Sequence, residues 1–281
     1  MTGRAAPQRG FALLIVLWSL ALIALLVTQF VASGRQDAQS ARNMMQAAVA
    51  EAAADGAVQL AIFHLLDASA EHWDADAIPH TFRLGGTSIT VRIESEDDRV
   101  NPNIASAQLL QALLAQLGTD PATAATLADS IVRWRRSGGT PAWLRAETAR
   151  YRAAGRDYAP SGLPFRRVSD LGAVLGMSPA LLARVTPHLT VYSDADPTTA
   201  THDKVVASAL SALSATSGPL NLGDGGGGSG EAVGITVSVI ADVRGPGGTR
   251  SVAHAVVRTD PAVRTRGYRI LAVDRLSDEP P

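Results

Sequence analysis

Six histidines are the side chains best suited to acid–base or metal chemistry: His64, His72, His80, His188, His202 and His254. Their spacing supports neither role. No His-Glu-x-x-His pair sets two imidazoles on one helix face, and no run of histidines and carboxylates has ligand spacing, so no transition-metal centre is predicted. His64 and His72 share a face only if a helix runs past Asp67. No serine lies in a Gly-x-Ser-x-Gly turn, the strained setting of a hydrolase nucleophile. Cysteine is absent, which removes thiol nucleophiles, zinc-thiolate sites and disulfides together. The glycines of 223–230 are not followed by Gly-Lys-Ser/Thr, so they read as a flexible linker rather than a phosphate loop. Asp194 and Asp196 are close enough to offer oxygens to a hard cation, although turn formation is the commoner use of such aspartates. Metal ligands stay unassigned, and nothing in these residues predicts an enzyme.

A cluster of cations with an aromatic, Arg133-Trp134-Arg135-Arg136, could face nucleic acid. It also stands just before Gly138-Gly139, where cations complement a helix C-terminus and point to solvent. The whole chain carries 25 basic and 26 acidic residues for a net charge of −1, so no general field for phosphate exists. The informative asymmetry is in hydrophobicity.

Phe11 to Gly34 carries no charge at all. Twenty helical residues span roughly 30 Å of hydrocarbon, so this run is long enough to cross a bilayer. The ten residues before it hold Arg4 and Arg9 and no acid, which predicts a cytoplasmic N-terminus with everything after Gly34 on the far side of the bilayer. A cleaved secretory signal has a shorter apolar core, of about 7–15 residues. A plain single-pass anchor is an open alternative. The stretch from Arg35 to Leu66 has no proline and one glycine, and is rich in helix formers. Val49, Ala52, Ala53, Gly56, Leu60 and Phe63 recur at spacings of three and four, predicting one apolar face. The membrane helix is therefore expected to continue into solvent, giving a rod of about 84 Å from Phe11 to Leu66.

The junction Gly10-Phe11, after a basic leader and directly before the apolar run, resembles the signal of type IV prepilins and type II secretion pseudopilins. The resemblance implies cleavage by the prepilin peptidase after Gly10, N-methylation of Phe11 and retention of the helix. In most such proteins the fifth mature residue is glutamate; here it is Ile15. A carboxylate at bilayer depth costs about 2.5–3.5 kcal/mol and is kept only with a partner. By resemblance, that partner is the terminal amine of the preceding subunit. A chain without the carboxylate cannot be recruited through it, yet can offer its own amine to the next, which suits a tip position. This departure and the start RGFALLIVLWSLALIALL resemble the general secretion pathway protein K family of minor pseudopilins. The resemblance implies a structural, assembly-initiating role in the pseudopilus of the type II secretion system. Its implied partners are other minor pseudopilins, the major pseudopilin and the prepilin peptidase.

Farther along, His80–Leu84 and Ser88–Glu94 flank Gly85-Gly86 and predict a β-hairpin. Strand patterns return at Gly234–Val243, Arg250–Arg258 and Tyr268–Val273, with a turn at Gly245-Pro-Gly-Gly. Between them, Asn101 to Ser217 reads helical, with caps predicted at Ser106 and Thr201. Short capped helices are also expected within Phe165–Leu189. The fold class is therefore α+β: a pilin-like long N-terminal helix packed on an antiparallel sheet, with an inserted α-helical domain. The expected divisions are a leader (1–10), a membrane helix (11–34), a stalk and first hairpin (35–98), the inserted domain (99–217), a linker (218–231), and the last strands and tail (232–281). The Asn101-Pro102-Asn103 opening and the Ser169-Asp170-Leu171 segment resemble the secretion family's inserted domain. The resemblance alone implies calcium, which the family's inserted domain binds through oxygen-rich loops; Arg135, Arg136 and Ser137 stand where many relatives carry acids, and positive charge there argues against a cation in that loop. The same opening resembles helix-hairpin-helix modules, which bind DNA through a Gly-x-Gly turn. Here that turn is Leu117-Gly118-Thr119-Asp120-Pro121, with one glycine, an acid and a proline, so nucleic acid is an unlikely partner.

Overall fold

The computed structural model describes residues 9–136, 140–217, 234–260 and 267–277. Its first element is one helix of 58 residues, α1 (Arg9–Leu66). A hairpin follows, β1 (His80–Leu84) and β2 (Thr87–Ser95). Next come α2 (Ala107–Gln116), α3 (Pro121–Trp134), α4 (Pro141–Ala153), α5 (Pro179–Val185) and α6 (Lys204–Ser217), with a 3₁₀ turn at Val168–Ala173. The chain then returns to the sheet as β3 (Thr236–Arg244), β4 (Arg250–Thr259) and β5 (Tyr268–Ser277). The five strands lie in the order β1-β2-β3-β4-β5, all antiparallel. The helices α2–α6 are thus inserted between two neighbouring strands, β2 and β3. The predicted linker at 218–231 lies outside the described residues.

Alternation along the strands separates two faces. Ile89, Val91 and Ile93 of β2, Val237, Val239, Ala241 and Val243 of β3, and Ala253, Ala255 and Val257 of β4 are buried against α1. The helix answers with Ala50, Ala54, Ala57, Val58, Ala61, Ile62 and Leu65. The face that packs on the sheet is not the apolar face read from the spacing. Val49 and Phe63 remain 46% and 63% exposed, and Ala52 and Gly56 are exposed too. The helix is apolar on more than one side, so periodicity alone could not choose. Small side chains let the helix backbone approach the sheet, and the alanine face therefore wins the contact.

The inserted helices enclose a second core, in which Leu109, Leu110, Leu113 and Leu114 of α2 meet Leu127 and Ile131 of α3, Leu181 and Val185 of α5, and Val206 and Leu210 of α6. Ser106 caps α2 as predicted, accepting from the Leu109 amide at 3.1 Å. The cap of α6 is Asp203 rather than Thr201: its Oδ1 accepts from the amides of Val205 (2.9 Å) and Val206 (3.2 Å). Thr201 Oγ1 instead donates to the Asp98 carbonyl, so its hydroxyl ties the helix entry to the end of β2.

Candidate functional site

Two regions invite a functional reading: the exposed helix and the junction above the sheet. Gly10 and Phe11 lie in the first turns of α1. Every described side chain from Leu13 to Gln29 is exposed, Ile15 at 49%. So much bare leucine and isoleucine requires lipid or protein around it. The two hydroxyls in the run are satisfied internally, Ser19 on the Ile15 carbonyl (2.8 Å) and Thr28 on the Ala24 carbonyl (2.7 Å), so neither brings an unmet donor into hydrocarbon. Gln36–Leu66 is also apolar on average. It packs on the sheet, however, and carries Asp37, Arg42, Glu51 and Asp55, so the span is the charge-free run below it. One long apolar N-terminal helix of this kind fits a single-pass inner-membrane anchor.

Above the span, α1 keeps an outward apolar side: Met44, Met45, Val49, Phe63 and Leu66 are exposed. Beside its upper end, Gln59, Ile62, Phe63, Leu66 and Tyr268 line an open cleft of about 480 Å³. Tyr268 Oη donates to Gln59 Oε1 at 3.1 Å, fixing the wall that β5 supplies.

The Asn-Pro-Asn opening is a staple. Asn101 is buried; its Nδ2 donates to the Ser193 carbonyl (2.6 Å) and its Oδ1 accepts from the Asn103 amide (2.9 Å). Asn103 pairs both ways with the Phe165 backbone, at 2.7 and 3.0 Å. Arg135 was expected in solvent and is not there. Its guanidinium donates to the carbonyls of Pro102 (2.5 Å), Ala105 (2.6 Å) and, more weakly, Ile104 (3.4 Å). Burial lowers the Arg135 pKa, and the Asp196 carboxylate opposes that shift. Arg133 meets the buried Glu147 at 3.0 Å, and Trp134 stacks near Phe165 at 6.1 Å. Only Arg136 of the cluster is left as a plain surface cation, while Ser137 lies outside the described residues.

This arrangement does not fit calcium at the loop. A positive guanidinium already satisfies the converging carbonyls. Asp194 is ion-paired to Arg258, and no three His, Asp or Glu side chains gather for a metal among the described residues. The DNA reading fares no better. Asp120 caps α3, its Oδ1 accepting from the amides of Ala122 (3.1 Å) and Thr123 (3.0 Å). The chain's own carboxylate thus occupies the donors a phosphate needs.

The inserted helices are clasped to the sheet by charge. Buried Glu96 accepts from Arg99 at 2.7 Å and from Ser238, and Arg99 also reaches Glu94 at 2.5 Å. Arg258 of β4 donates to the Tyr192 carbonyl (2.6 Å), to Asp194 and to Thr236 (3.1 Å). Val100 and Leu189 form a parallel bridge, closing the neck of the insertion. The histidines serve this frame. His188 pairs with Asp203 (2.6 Å), His202 with Asp98 (2.9 Å) and His254 with Ser238 (2.9 Å). His64 and His80 stack on opposite sides of the contacts made by Trp73, at 4.3 and 4.0 Å. The helix ends at Leu66, so His64 and His72 do not share a helix face. Spacing in Glu94-x-Glu96-x-x-Arg99 was the available sign of the clasp; nothing local marked the carbonyl partners of Arg135.

Residues 90–194 match the family model described as Type II secretion system (T2SS), protein K. This stretch holds the end of β2, the Asn-Pro-Asn staple and the helices through α5. The fold is shared with a chain of a solved structure, "The Crystal Structure of the GspK-GspI-GspJ complex from enterotoxigenic Escherichia coli Type 2 Secretion System", at a TM-score of 0.53 and 17% identity. The alignment covers 86% of this chain and 99% of that one. Family match and shared fold together support a type II secretion system protein K. No curated protein matches the sequence. The clasp, staple and capped helices hold the inserted helices together and fix them to the sheet.

Proposed function

We propose that this chain is the minor pseudopilin at the tip of the type II secretion pseudopilus and starts its assembly. The observation that carries the reading is Ile15, an apolar residue on the exposed, acid-free lower run of α1, where pilin-like subunits use a glutamate. In this reading the prepilin peptidase cuts between Gly10 and Phe11, and the new Phe11 amine is methylated. That amine receives the carboxylate of the next subunit, while Ile15 offers no hook to a subunit above. The leader stays in the cytoplasm and everything beyond Gly34 is periplasmic.

Partners follow from the free side of α1. The alanine face is spent on the chain's own sheet, so Val49, Phe63, Leu66 and the membrane run are left for the helices of other minor pseudopilins and of the major pseudopilin. Helices in lipid associate by close packing rather than by exclusion from water. The solved neighbour is a complex with two further subunits, GspI and GspJ, which supports partners of that kind. Mass spectrometry of the membrane-purified protein tests the proposal at its root. The mature N-terminus is expected at a methylated Phe11, and an intact Met1 would contradict it. Gly10→Val is expected to leave the precursor uncut and stop secretion. Ile15→Glu is expected to let the subunit enter the shaft; if its position stays unchanged, the carboxylate argument fails.

A further inference from the structure

We propose that the membrane-facing end of the sheet is a docking rim for anionic lipid headgroups, used while the protein is anchored and not yet assembled. The proposal rests on the single-pass reading of α1.

The two hairpin turns of the sheet end side by side: a methyl group on Gly86 would stand 3.3 Å from Pro246. The second turn is pinned low on the helix, because a side chain at Gly247 would run into Gln46 and one at Gly245 would lie 3.8 Å from Ala50. Gln46 is twelve residues above Gly34, hence about 18 Å beyond the charge-free run. The opposite end of the sheet, where Tyr268 meets Gln59, carries the inserted helices away from the membrane.

On this lower end, and on the face turned away from α1, the strand register places Arg83, Ser88, Arg244 and Arg250 in one row across four strands. Arg244 and Arg250 are directly opposite each other, an arrangement that repels unless an anion joins it. Asp242 supplies one carboxylate, held by Arg250 through two hydrogen bonds of 3.2 and 2.9 Å. Among the described residues Arg83 and Arg244 make no ion pair. Arg83 is followed at the hairpin tip by Leu84, 66% exposed. Cations flanking an apolar tip suit a headgroup surface better than a soluble acidic peptide, since the membrane interface takes up both charge and an apolar side chain. The gap is closed by tilt: membrane helices lean by about 20° on average, and leaning toward the sheet lowers the rim. The headgroup layer itself covers about 5–7 Å of what remains, and an arginine that reaches it contributes at most about fivefold in favour of contact, less wherever it stands off the surface, because the attraction decays over the ~8 Å Debye length.

The test uses the full chain in lipid nanodiscs. The protein has no cysteine, so Thr81→Cys, exposed on β1, takes one donor dye, with an acceptor dye on the headgroups. Energy transfer is expected to be higher in discs containing phosphatidylglycerol than in phosphatidylcholine discs, and to fall at 1 M salt. Arg83→Gln with Arg244→Gln is expected to shift the docked-to-free ratio several-fold, with about 25-fold as the ceiling for full contact, while Arg145→Gln with Arg184→Gln, the same charge change on the inserted helices, leaves it unaltered. Circular dichroism on each variant separates loss of docking from loss of fold. Equal transfer in both lipids, unmoved by the double substitution, overturns the rim. Equal transfer combined with arginine-dependent capture of a polyglutamate peptide also overturns it and reassigns the row to an acidic partner. Failure to enter discs at all instead removes the anchored state on which the proposal stands.

Discussion

The core under the inserted helices is dominated by leucine, with smaller shares of valine and alanine, and the rings of Trp134, Tyr151 and Phe165 gather at its side. The seam between α1 and the sheet is built from alanine, valine and isoleucine. The first is a closed core of an ordinary small domain, in which interlocking large side chains decide stability. The second is a contact between two surfaces that must lie close, made by a helix that also spans lipid and keeps larger apolar residues on its other side. The difference separates tasks. The inserted helices look after themselves, whereas α1 divides its circumference between its own sheet and whatever surrounds the assembled rod.

Truncation tests the contrast most severely. Leu113 is fully buried at the centre of α2, and Leu113→Ala is expected to cost about 2–5 kcal/mol by leaving a cavity. The loss should appear in the inserted helices, read by hydrogen exchange, with the α1–sheet amides protected as before. Equal loss of protection in both regions would show one cooperative unit and erase the distinction. Next in size is the clasp. Glu96→Ala removes a buried acceptor from Arg99 and Ser238, and breaking such a buried pair costs about 3 kcal/mol, near the low end because Arg99 keeps Glu94 and Ser238 keeps His254. Its expected signature is separation of a single thermal transition into two.

The seam should fail in the opposite direction, by overfilling. Ala57 is 2% exposed against the strands, and Ala57→Leu is expected to cost about 1–3 kcal/mol. The same change at Ala52, on the exposed side, is expected to leave the thermal midpoint within a degree or so. If Ala57→Leu is neutral, the close approach inferred for the seam is wrong. A milder effect, about 1 kcal/mol, is expected from Asp120→Ala, which removes the cap of α3. It should lower the inserted helices' midpoint without creating salt-sensitive DNA retention; retention gained on losing this acid would show that the helix end is a masked phosphate site.

The sequence made the architecture readable because each strand alternates and each turn has its own punctuation: Gly85-Gly86 between β1 and β2, and Gly245–Gly248 between β3 and β4. The membrane run was equally plain, since 24 uncharged residues admit few readings. What escaped was anything decided by partners distant in sequence. Val49 and Phe63 mark one apolar face, but a second one, rich in alanine, packs on the sheet, and the period does not say which of the two does so. Arg135 looked like a solvated helix end because its carbonyl acceptors lie some 30 residues earlier, and no local pattern announces a carbonyl. Thr201 and Asp203 both fit a cap, and only the pull of Asp98 on Thr201 decided between them.

The smallest effect concerns pH at the arginine row. The Asp242 carboxyl is held below its usual value, first by its hydrogen bonds to Arg250 and then by the charges of Arg250, Arg244 and Arg92. An acid whose pKa is lower when folded stabilises the fold above its unfolded pKa, near 4, and that contribution is lost as pH falls through the lower folded value. Both partners are partly open to water, so the gain is under about 1 kcal/mol. Asp242→Asn is therefore expected to lower the midpoint slightly at pH 6 and to show a flatter decline below pH 4 than the parent chain. Parallel melting curves over that range would mean that the aspartate is not coupled to the row. The seam itself, having no ionisable group in its core, is expected to respond to none of this.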